Sequence, residues 1–241
     1  MKIMAYSASS WRVACMNTFK NHKKQKQVMK YKAIVFDMDG VLVDERSSWM
    51  KAHRYFGVCN DNNWDAFNNG QIDYDEFMRR DIGLWTKNQK PVHLSQIHRA
   101  LMPVKYIQGA EETVSRLARN YGLCIVSGGI DLMANHVGMQ LGIATVYANG
   151  IEADEKGYIT GEGISRVQLY KKERVLHDYC ERNQISPEET IAVADSRYDK
   201  EILEAAGLGI AFNPHDDEIR KAADIVVESN NLKDLLKHVK C

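Results

Sequence analysis

This 241-residue sequence has few of the features that stabilise small or secreted proteins, such as paired cysteines or zinc ligands. Its cysteines are odd in number, widely spaced and without a Cys-x-x-Cys pair, at Cys15, Cys59, Cys124, Cys180 and Cys241. We therefore expect neither a disulfide framework nor a zinc site, and this use of cysteine indicates a cytoplasmic protein. No stretch approaches about 18 consecutive apolar residues, so the sequence predicts no membrane span. With 44% apolar residues, the chain can form a sizeable core without such braces.

Acidic residues are missing from the N-terminal segment. Residues 1–32 contain eight Lys or Arg side chains and no Asp or Glu, whereas the rest of the chain has 24 basic and 32 acidic residues. The resulting net charge of −8 argues against a general nucleic-acid-binding protein, because phosphate groups repel such a surface. Residues 1–30 also lack apolar periodicity, so we expect a disordered basic arm with no part in chemistry. A transit peptide, or an arm that contacts nucleic acid or anionic lipid, is the alternative.

Short apolar runs alternate with helical patterns along the rest of the chain. Five of these runs predict buried strands, at Lys32–Phe36, Gly122–Ser127, Thr190–Ala194, Gly209–Phe212 and Asp224–Val227. Helical patterns lie between or after them, at Ala110–Arg119, Asp131–Gln140, Lys172–Glu181, Lys200–Ala206 and Leu232–Val239. This alternation predicts the α/β class, with a doubly wound parallel sheet and helices on both faces. The segment Ile151–Gly163 adds a hairpin that turns at Lys156-Gly157.

A long stretch between the first two predicted strands breaks this rhythm. It is far longer than a single crossover needs, and residues 46–105 within it have a helical pattern throughout. Five of its apolar side chains share one helical face, Tyr74, Phe77, Met78, Ile82 and Trp85, and we expect them to form a small core of their own. The segment is predicted to be a helical cap over the carboxyl ends of the strands, where doubly wound sheets bind ligands. Residues 31–45 and 106–241 would then form the α/β core.

Acidic and hydroxyl side chains follow three of the predicted strands. Asp37 and Asp39 follow the first, Ser127 closes the second, and Asp195 and Asp199 follow the third. Because the carboxyl ends of parallel strands meet at one crevice, we expect the four carboxylates to converge there. They would repel one another strongly without a cation, and oxygen ligands of this kind suit Mg²⁺. The sequence therefore predicts a magnesium site.

The same residues can carry out transfer of a phosphoryl group. Asp37 is ionised at neutral pH and can attack phosphorus to form an aspartyl-phosphate. Asp39, two residues on, can protonate the leaving oxygen and later deprotonate the attacking water. The Ser127 hydroxyl, the Gly128 amide and loop amides around Met38 and Gly40 can bind phosphate oxygens. A cation is also needed, and we place Lys172 there in preference to Lys171.

These residues identify a resemblance to a known family. The runs Asp37–Val43 and Val126–Gly129, with Lys172, Ala194-Asp195 and Asp199, resemble the haloacid dehalogenase-like superfamily of aspartate-nucleophile phosphatases over about residues 32–241. Within it, the position of the cap and the sequence around 108–112 and 205–235 are most similar to the phosphoserine phosphatases. The resemblance implies that Asp37 is the nucleophile and a metal ligand and that Asp39 is the general acid and base, ligating through its carbonyl. It also implies phosphate binding by Ser127, Gly128 and Lys172, and Mg²⁺ binding by Asp195 directly and Asp199 indirectly.

Several positions depart from the phosphoserine phosphatases. In these enzymes a Glu shortly after the first motif binds the substrate amine, and an Arg on a cap helix binds the carboxylate. Ungapped alignment places Arg46 and Asp81 there, so the two charges have exchanged places, and Tyr198 replaces an Asn. Three interpretations stay open: Arg46 and Asp81 pair with each other, bind a zwitterion in a swapped arrangement, or mark a different phosphate ester. A shift of one residue would align Glu45 and Arg80 instead.

The sequence thus predicts an enzyme that hydrolyses a small phosphate monoester with Mg²⁺, through an aspartyl-phosphate, and phosphoserine is the leading substrate. A phosphatase for another small ester, or a phosphotransferase that uses an acceptor hydroxyl, would have the same motifs. A non-catalytic binding protein with this fold is a more remote alternative. We expect a small molecule as the partner, with no nucleic acid and no membrane, and the sequence leaves monomer and homodimer open.

Overall fold

The computed structural model describes residues 30–86 and 90–240. The predicted N-terminal arm, residues 1–30, lies outside the described residues except for its last position. Across the described ranges, none of the helices combines the length and the apolar character needed to cross a bilayer.

A seven-stranded sheet forms the centre of the described structure. Its strands are β1 (Ala33–Phe36), β2 (Gly122–Ile130), β3 (Thr145–Ala153), β4 (Ile159–Ile164), β5 (Thr190–Ala194), β6 (Leu208–Phe212) and β7 (Ile225–Val227). They lie in the order β4-β3-β2-β1-β5-β6-β7, and every neighbouring pair except β3 and β4 is parallel. The predicted α/β fold with a doubly wound parallel sheet is confirmed. Strand order reverses direction at β1, which is the place where such sheets bind ligands.

Helices fill the stretch between β1 and β2, as its pattern predicts. They are α1 (Ser48–Phe56), α2 (Asp61–Asn68), α3 (Tyr74–Trp85) and α4 (Leu94–Leu101) within the described residues. The five apolar residues expected on one face of α3 are all buried. Only Tyr74, Phe77 and Met78 form a separate cluster, whereas Ile82 and Trp85 join the main core beside the sheet. The prediction of an independent small core therefore holds for the first half of α3 and is wrong for the second half, which packs onto the sheet.

Both faces of the sheet are buried. Successive strand residues point to opposite faces, and in β1 Ile34 and Phe36 belong to one hydrophobic cluster while Ala33 and Val35 belong to another. Side chains of α5 (Ala110–Leu117) and α6 (Asp131–Leu141) join the first cluster. Side chains of α7 (Lys172–Asn183), α8 (Lys200–Ala205) and α9 (Asp217–Ala222) join the second. The two layers of helices hold the carboxyl ends of the strands in a fixed arrangement.

Two elements differ most from the sequence prediction, whereas the others differ by a few residues at their ends. The hairpin forms, but β3 begins at Thr145, six residues before the predicted start, because its first half pairs with β2 and only its second half pairs with β4. The pattern of alternating polarity marks only the half that is exposed on one side. The predicted last helix is a 3-10 helix, Leu232–Lys237, with the Asn231 side chain accepting a hydrogen bond from Lys233 N.

Candidate active site

The structure brings together the carboxylates that follow β1 and β5. Asp37, Asp195 and Asp199 each offer an oxygen, and these three atoms lie within 4.8 Å of one another. All three side chains are buried. The convergence follows from the topology, because β1 and β5 are adjacent and parallel, with Phe36 opposite Val193. The predicted meeting of strand ends is therefore present for three of the four acids.

Gly40 allows the loop after β1 to approach Asp195. Its φ is +76°, and a Cβ atom there would lie 1.9 Å from Asp195 Oδ2. A residue with a side chain would therefore both strain the backbone and displace the acid. The Gly40 amide donates to the carbonyls of Val43 and Glu45, at 3.0 and 2.8 Å. This corrects one expectation: the amide is engaged inside the loop and is not available to a phosphate.

Lys172 is the buried cation of the site. Its Nζ lies 2.5 Å from Asp199 Oδ1 and 3.1 Å from Asp37 Oδ1, whereas Lys171 is exposed. Burial alone would lower the pKa of Lys172, but the carboxylates of Asp199 and Asp37 outweigh it and raise this pKa. The side chain is thus held as an ammonium beside the carboxylate of Asp37. Spacing along the sequence favoured Lys172 over Lys171, and Lys172 is the lysine that lies beside Asp37 and Asp199.

Asp39 lies beside the group of three rather than in it. Its Oδ2 accepts hydrogen bonds from the Ser48 amide at 3.0 Å and from Ser48 Oγ at 3.1 Å. Its Oδ1 is buried and has no hydrogen-bond partner among the described residues. Burial, followed by the charge of Asp37, raises the pKa of Asp39 to about 7. A carboxyl group with this pKa can both give and take a proton near neutral pH.

The Ser127-Gly128-Gly129 turn is an irregular part of β2, where the pairing with β3 shifts register. Ser127 is buried, and its Oγ accepts a hydrogen bond from Gly129 N at 3.0 Å. A Cβ atom on Gly129 would lie 2.4 Å from Ser48 Oγ and 2.9 Å from Asp39 Oδ2. The absence of a side chain at this position therefore lets the turn sit against the residues that hold Asp39.

A cavity of about 560 Å³ extends from these groups toward the helices of residues 46–105. Every predicted site residue lines it. Rings form much of the remaining wall, and Trp64 of α2 meets Tyr198 edge-on with 5.7 Å between ring centroids. His215 also lines the cavity, with Nε2 3.1 Å from Asp195 Oδ2, and this hydrogen bond raises the pKa of His215. The cavity combines an end lined by carboxylates with a mainly aromatic one.

Arg46 and Asp81 both line the cavity but do not pair with each other. Asp81 is buried and accepts hydrogen bonds from Asn60 and Asn63, both at 2.8 Å, and from His53 Nε2 at 3.1 Å. These contacts satisfy the buried charge, so the interpretation of an Arg46–Asp81 pair is wrong. Arg46 is exposed, and its guanidinium has no ion-pair partner in the part of the chain that the structure describes.

The alignment shifted by one residue, which selects Glu45 and Arg80, places neither side chain in the cavity. Glu45 pairs with Arg54 at 2.6 Å, and Arg80 pairs with Glu76 at 2.6 Å on the solvent side of α3. Neither Glu45 nor Arg80 lines the cavity. The ungapped alignment, with Arg46 and Asp81, therefore gives the pair of charges that faces the site.

The residues present fit a divalent cation. Three buried carboxylates meet beside one buried ammonium, from Lys172, and the imidazole of His215, so the acidic groups outnumber the basic ones. Burial raises the pKa of both Asp195 and Asp199, the latter to about 8, although Lys172 opposes the rise at Asp199. Carboxylate oxygens are the donors that Mg²⁺ prefers. Asp37, Asp195 and Asp199 are the residues that would hold such an ion.

Comparison with known proteins identifies the family. The model of haloacid dehalogenase-like hydrolases matches residues 31–207. The chain belongs to this family. It is 29% identical to the phosphoserine phosphatase of Methanocaldococcus jannaschii, over 88% of this chain and 99% of that protein. It is 30% identical to the phosphoserine phosphatase of Idiomarina loihiensis, over 84% and 91%.

Solved structures of phosphoserine phosphatases are also similar to this hydrolase. A phospho-aspartyl intermediate analogue of phosphoserine phosphatase superposes with a TM-score of 0.73 and 28% identity. A substrate-bound phosphoserine phosphatase complex superposes with a TM-score of 0.73 and 27% identity. Each alignment covers 87% of this chain and 99% of the other. The similarity thus extends over most of this chain.

Sequence reasoning missed four side chains that hold the site together. Ser48 binds Asp39, Trp49 and Asn149 bind the Gly128 carbonyl, and His215 binds Asp195. The pair Ser47-Ser48 at the start of a helix is a weak signal of a cap, and Ser47 does accept a hydrogen bond from Met50 N. No local pattern marks Asn149 or His215, because their partners lie on other segments of the chain.

Proposed function

We propose that this hydrolase is a Mg²⁺-dependent phosphomonoester hydrolase that works through an aspartyl-phosphate. The observation that carries the proposal is the buried group of Asp37, Asp195 and Asp199 with Lys172 beside it. Asp37 lies at the end of β1, with its Oδ1 3.1 Å from a lysine that stays protonated. An anionic nucleophile next to a cation is the arrangement that attack on a phosphate ester requires.

The first step is attack by the Asp37 carboxylate. A bond forms from an Asp37 oxygen to phosphorus while the bond from phosphorus to the ester oxygen breaks. Asp39 transfers its proton to that leaving oxygen, and the alcohol departs. A pKa of about 7 for Asp39 supports this role, since a large part of the protein then has the proton available at neutral pH.

The second step is hydrolysis of the aspartyl-phosphate. Asp39, now a carboxylate, accepts a proton from water as the water oxygen attacks phosphorus. The bond between phosphorus and Asp37 breaks, inorganic phosphate leaves, and both acids return to their starting states. Ser48 supports this step, because its two hydrogen bonds to Oδ2 orient the Asp39 carboxyl and leave Oδ1 for the reacting proton.

Phosphate oxygens would be bound by the Ser127 hydroxyl, the Gly128 amide and Lys172. All three groups line the same cavity as Asp37. Asp37, Asp195, the Asp39 carbonyl and, indirectly, Asp199 would hold Mg²⁺, which would supply positive charge that reduces repulsion between the carboxylates and phosphate.

Phosphoserine is the leading substrate. The support is that relatives named phosphoserine phosphatase match at 29–30% identity over nearly their whole length. In this chain Arg46 would contact the substrate carboxylate, and Asp81 would contribute negative charge on the amine side. Residues 46–105 would act as the cap over residues 31–45 and 106–241, and Trp64 meeting Tyr198 across the cavity supports a closed position.

We also infer a cytoplasmic enzyme that acts on a small molecule. Three cysteines of the described residues, Cys59, Cys124 and Cys180, are free thiols, which supports a reducing compartment. The acidic body gives no support to nucleic acid as a partner.

Release of inorganic phosphate from a panel of small esters tests the proposal. The panel contains phosphoserine, phosphoethanolamine, glycerol phosphate and an aryl phosphate, each with Mg²⁺ and with a chelator. We expect Mg²⁺-dependent release, with phosphoserine preferred. Good turnover of another ester with phosphoserine poor would keep the mechanism and reassign the substrate. Stimulation by added alcohols with formation of a new ester would indicate a phosphotransferase, and no release from any ester would refute the proposal.

A further inference from the structure

The peptide between Gly128 and Gly129 is held at both of its polar ends. Its carbonyl oxygen, on Gly128, accepts hydrogen bonds from Trp49 Nε1 and from Asn149 Nδ2, each at 3.0 Å. Its N–H, on Gly129, donates to Ser127 Oγ at 3.0 Å. A peptide plane with donors on one end and an acceptor on the other cannot rotate without loss of several hydrogen bonds.

This arrangement bears on two groups that the proposed mechanism uses. Ser127 Oγ has one lone pair occupied by the Gly129 N–H, so its own O–H is free to donate toward the cavity. The Gly128 N–H belongs to the preceding peptide, which lies between Ser127, whose Oγ is hydrogen-bonded, and the anchored Gly128–Gly129 peptide. Two glycines in sequence have no intrinsic preference for one conformation, and the surrounding side chains must therefore supply it.

Asn149 connects the turn to the segment that leads to Lys172. It is fully buried, and its Nδ2 also lies 2.8 Å from Val167 O and 2.9 Å from Tyr74 OH, so its two hydrogens are shared among three acceptors. Its Oδ1 accepts from the amides of Arg166 and Val167, at 2.8 and 2.9 Å. Every polar atom of this amide is thus in use, and such saturated buried networks hold one geometry.

Trp49 brings a different segment to the same carbonyl. It lies in the first turn of α1, within residues 46–105, whereas Gly128 lies near the carboxyl end of β2. The hydrogen bond between them exists only while α1 lies over the carboxyl end of β2. Tyr74 makes a second link of this kind, from α3 to Asn149.

We propose that Trp49 and Asn149 are positioning residues for the phosphate-binding turn, and that this turn is fully formed only when α1 lies over the sheet. The inference rests on the proposed function, because it assigns phosphate binding to Ser127 and Gly128. A purely structural role for Trp49 is the rival explanation, since its ring also stacks on Trp85 with centroids 5.7 Å apart. The two explanations predict different phosphate affinities for a variant that keeps an aromatic ring at position 49 but lacks the indole N–H.

Trp49→Phe makes this separation. Binding of inorganic phosphate in the presence of Mg²⁺ is measured by calorimetric titration, together with kcat and KM for the best ester of the panel. We expect phosphate to bind roughly three- to tenfold more weakly, the effect of one neutral hydrogen bond, with KM raised by a similar factor. Trp85→Phe is the matched control, because it removes an indole N–H from the same ring stack that donates to His53 and not to Gly128. The control is expected to bind phosphate within twofold of wild type.

Asn149→Asp tests the second positioning residue. The substitution keeps the size of the side chain but places an oxygen against the carbonyls of Gly128 and Val167, so we expect phosphate binding to weaken roughly tenfold or more. Asn183→Asp is its control, since Asn183 donates to a helix carbonyl away from the cavity. If Asn149→Asp does not fold, the Trp49→Phe measurement alone tests whether the hydrogen bonds to the Gly128 carbonyl affect phosphate binding.

The outcomes distinguish this inference from the proposed function. Wild-type protein that neither binds phosphate nor hydrolyses any ester would overturn both. Wild-type protein that does both, with Trp49→Phe equal to it in phosphate affinity and KM, would overturn the positioning role alone. Equal losses in Trp49→Phe and Trp85→Phe would likewise overturn it, because they would trace the effect to the ring stack.

Discussion

Ser48 Oγ lies 3.1 Å from Asp39 Oδ2 and at the same time accepts a hydrogen bond from Ile130 N at 2.9 Å. One buried hydroxyl therefore joins the first residue of α1, the acid after β1 and the end of β2. The amide of Ser48 donates to the same carboxylate oxygen. The position of Asp39, the proposed general acid and base, thus depends on α1, the helix that follows β1 in the chain.

Removal of this hydroxyl is expected to change the pH dependence of turnover. The hydrogen bonds from Ser48 lower the pKa of Asp39 against the effect of burial, so Ser48→Ala raises that pKa above about 7. We expect kcat to fall roughly tenfold and the pH profile to shift toward alkaline pH. Profiles of kcat/KM for wild type and variant measure this, with Ser47→Ala as the control at the neighbouring helix cap. An unshifted profile would contradict the role of Ser48.

Replacement of the nucleophile is expected to abolish turnover without unfolding the protein. Asp37→Asn retains the size of the side chain but lacks the anionic oxygen that attacks phosphorus, so we expect a loss of roughly 10⁴-fold or more. Phosphate release measures activity, and the melting temperature without metal serves as the control. It is expected to stay the same or rise, because one of three close carboxylates is removed. Activity within tenfold of wild type would refute the assignment of Asp37.

Stability without metal is expected to fall as pH rises. The folded-state pKa of Asp39 is about 7 against an ordinary 3.8, so the proton on Asp39 stabilises the folded state at low pH. That contribution is lost as pH rises through about 7, and the raised pKa values of Asp195 and Asp199 act in the same direction. We expect a lower melting temperature at pH 8 than at pH 5.5.

Mg²⁺ is expected to reverse this trend. Ionised carboxylates bind the ion and protonated ones do not, so the rise in melting temperature on addition of Mg²⁺ should be larger at pH 8 than at pH 5.5. Thermal melts at the two pH values, with and without the metal, measure it. Asp195→Asn is the control and should reduce the response to Mg²⁺. An equal response at both pH values would count against the three-carboxylate site.

Asp81 is expected to matter for stability and for substrate preference more than for metal binding. Asp81→Ala leaves Asn60, Asn63 and His53 without their shared acceptor, so we expect about 3 kcal/mol less free energy of unfolding. KM or the order of preferred esters should change, while the apparent affinity for Mg²⁺ stays within about twofold. Denaturant unfolding and the ester panel measure these effects, with Asp65→Ala as the control, since Asp65 is exposed and does not line the cavity. An unchanged substrate profile would remove Asp81 from recognition.

Local patterns in the sequence were sufficient for the fold and for the acids of the site. Asp37 and Asp195 each follow a short run of buried apolar residues, and adjacent parallel strands bring such ends together. The helical period of α3 likewise predicted which of its side chains are buried. These inferences succeed because strand and helix periodicity are properties of neighbouring residues.

The partners of the buried polar groups could not be predicted in the same way. Asp81 is bonded by residues 18, 21 and 28 positions away, and Gly128 by residues 79 and 21 positions away. Periodicity shows that Asp81 faces inward but not whether it meets Arg46 or His53, since that depends on how separate helices pack. The sequence by itself therefore determined the α/β class, most of the strands and the three carboxylates that meet at their ends. Only the tertiary structure decided how those groups are held, because hydrogen bonds across distant segments form after packing has brought them within 3 Å.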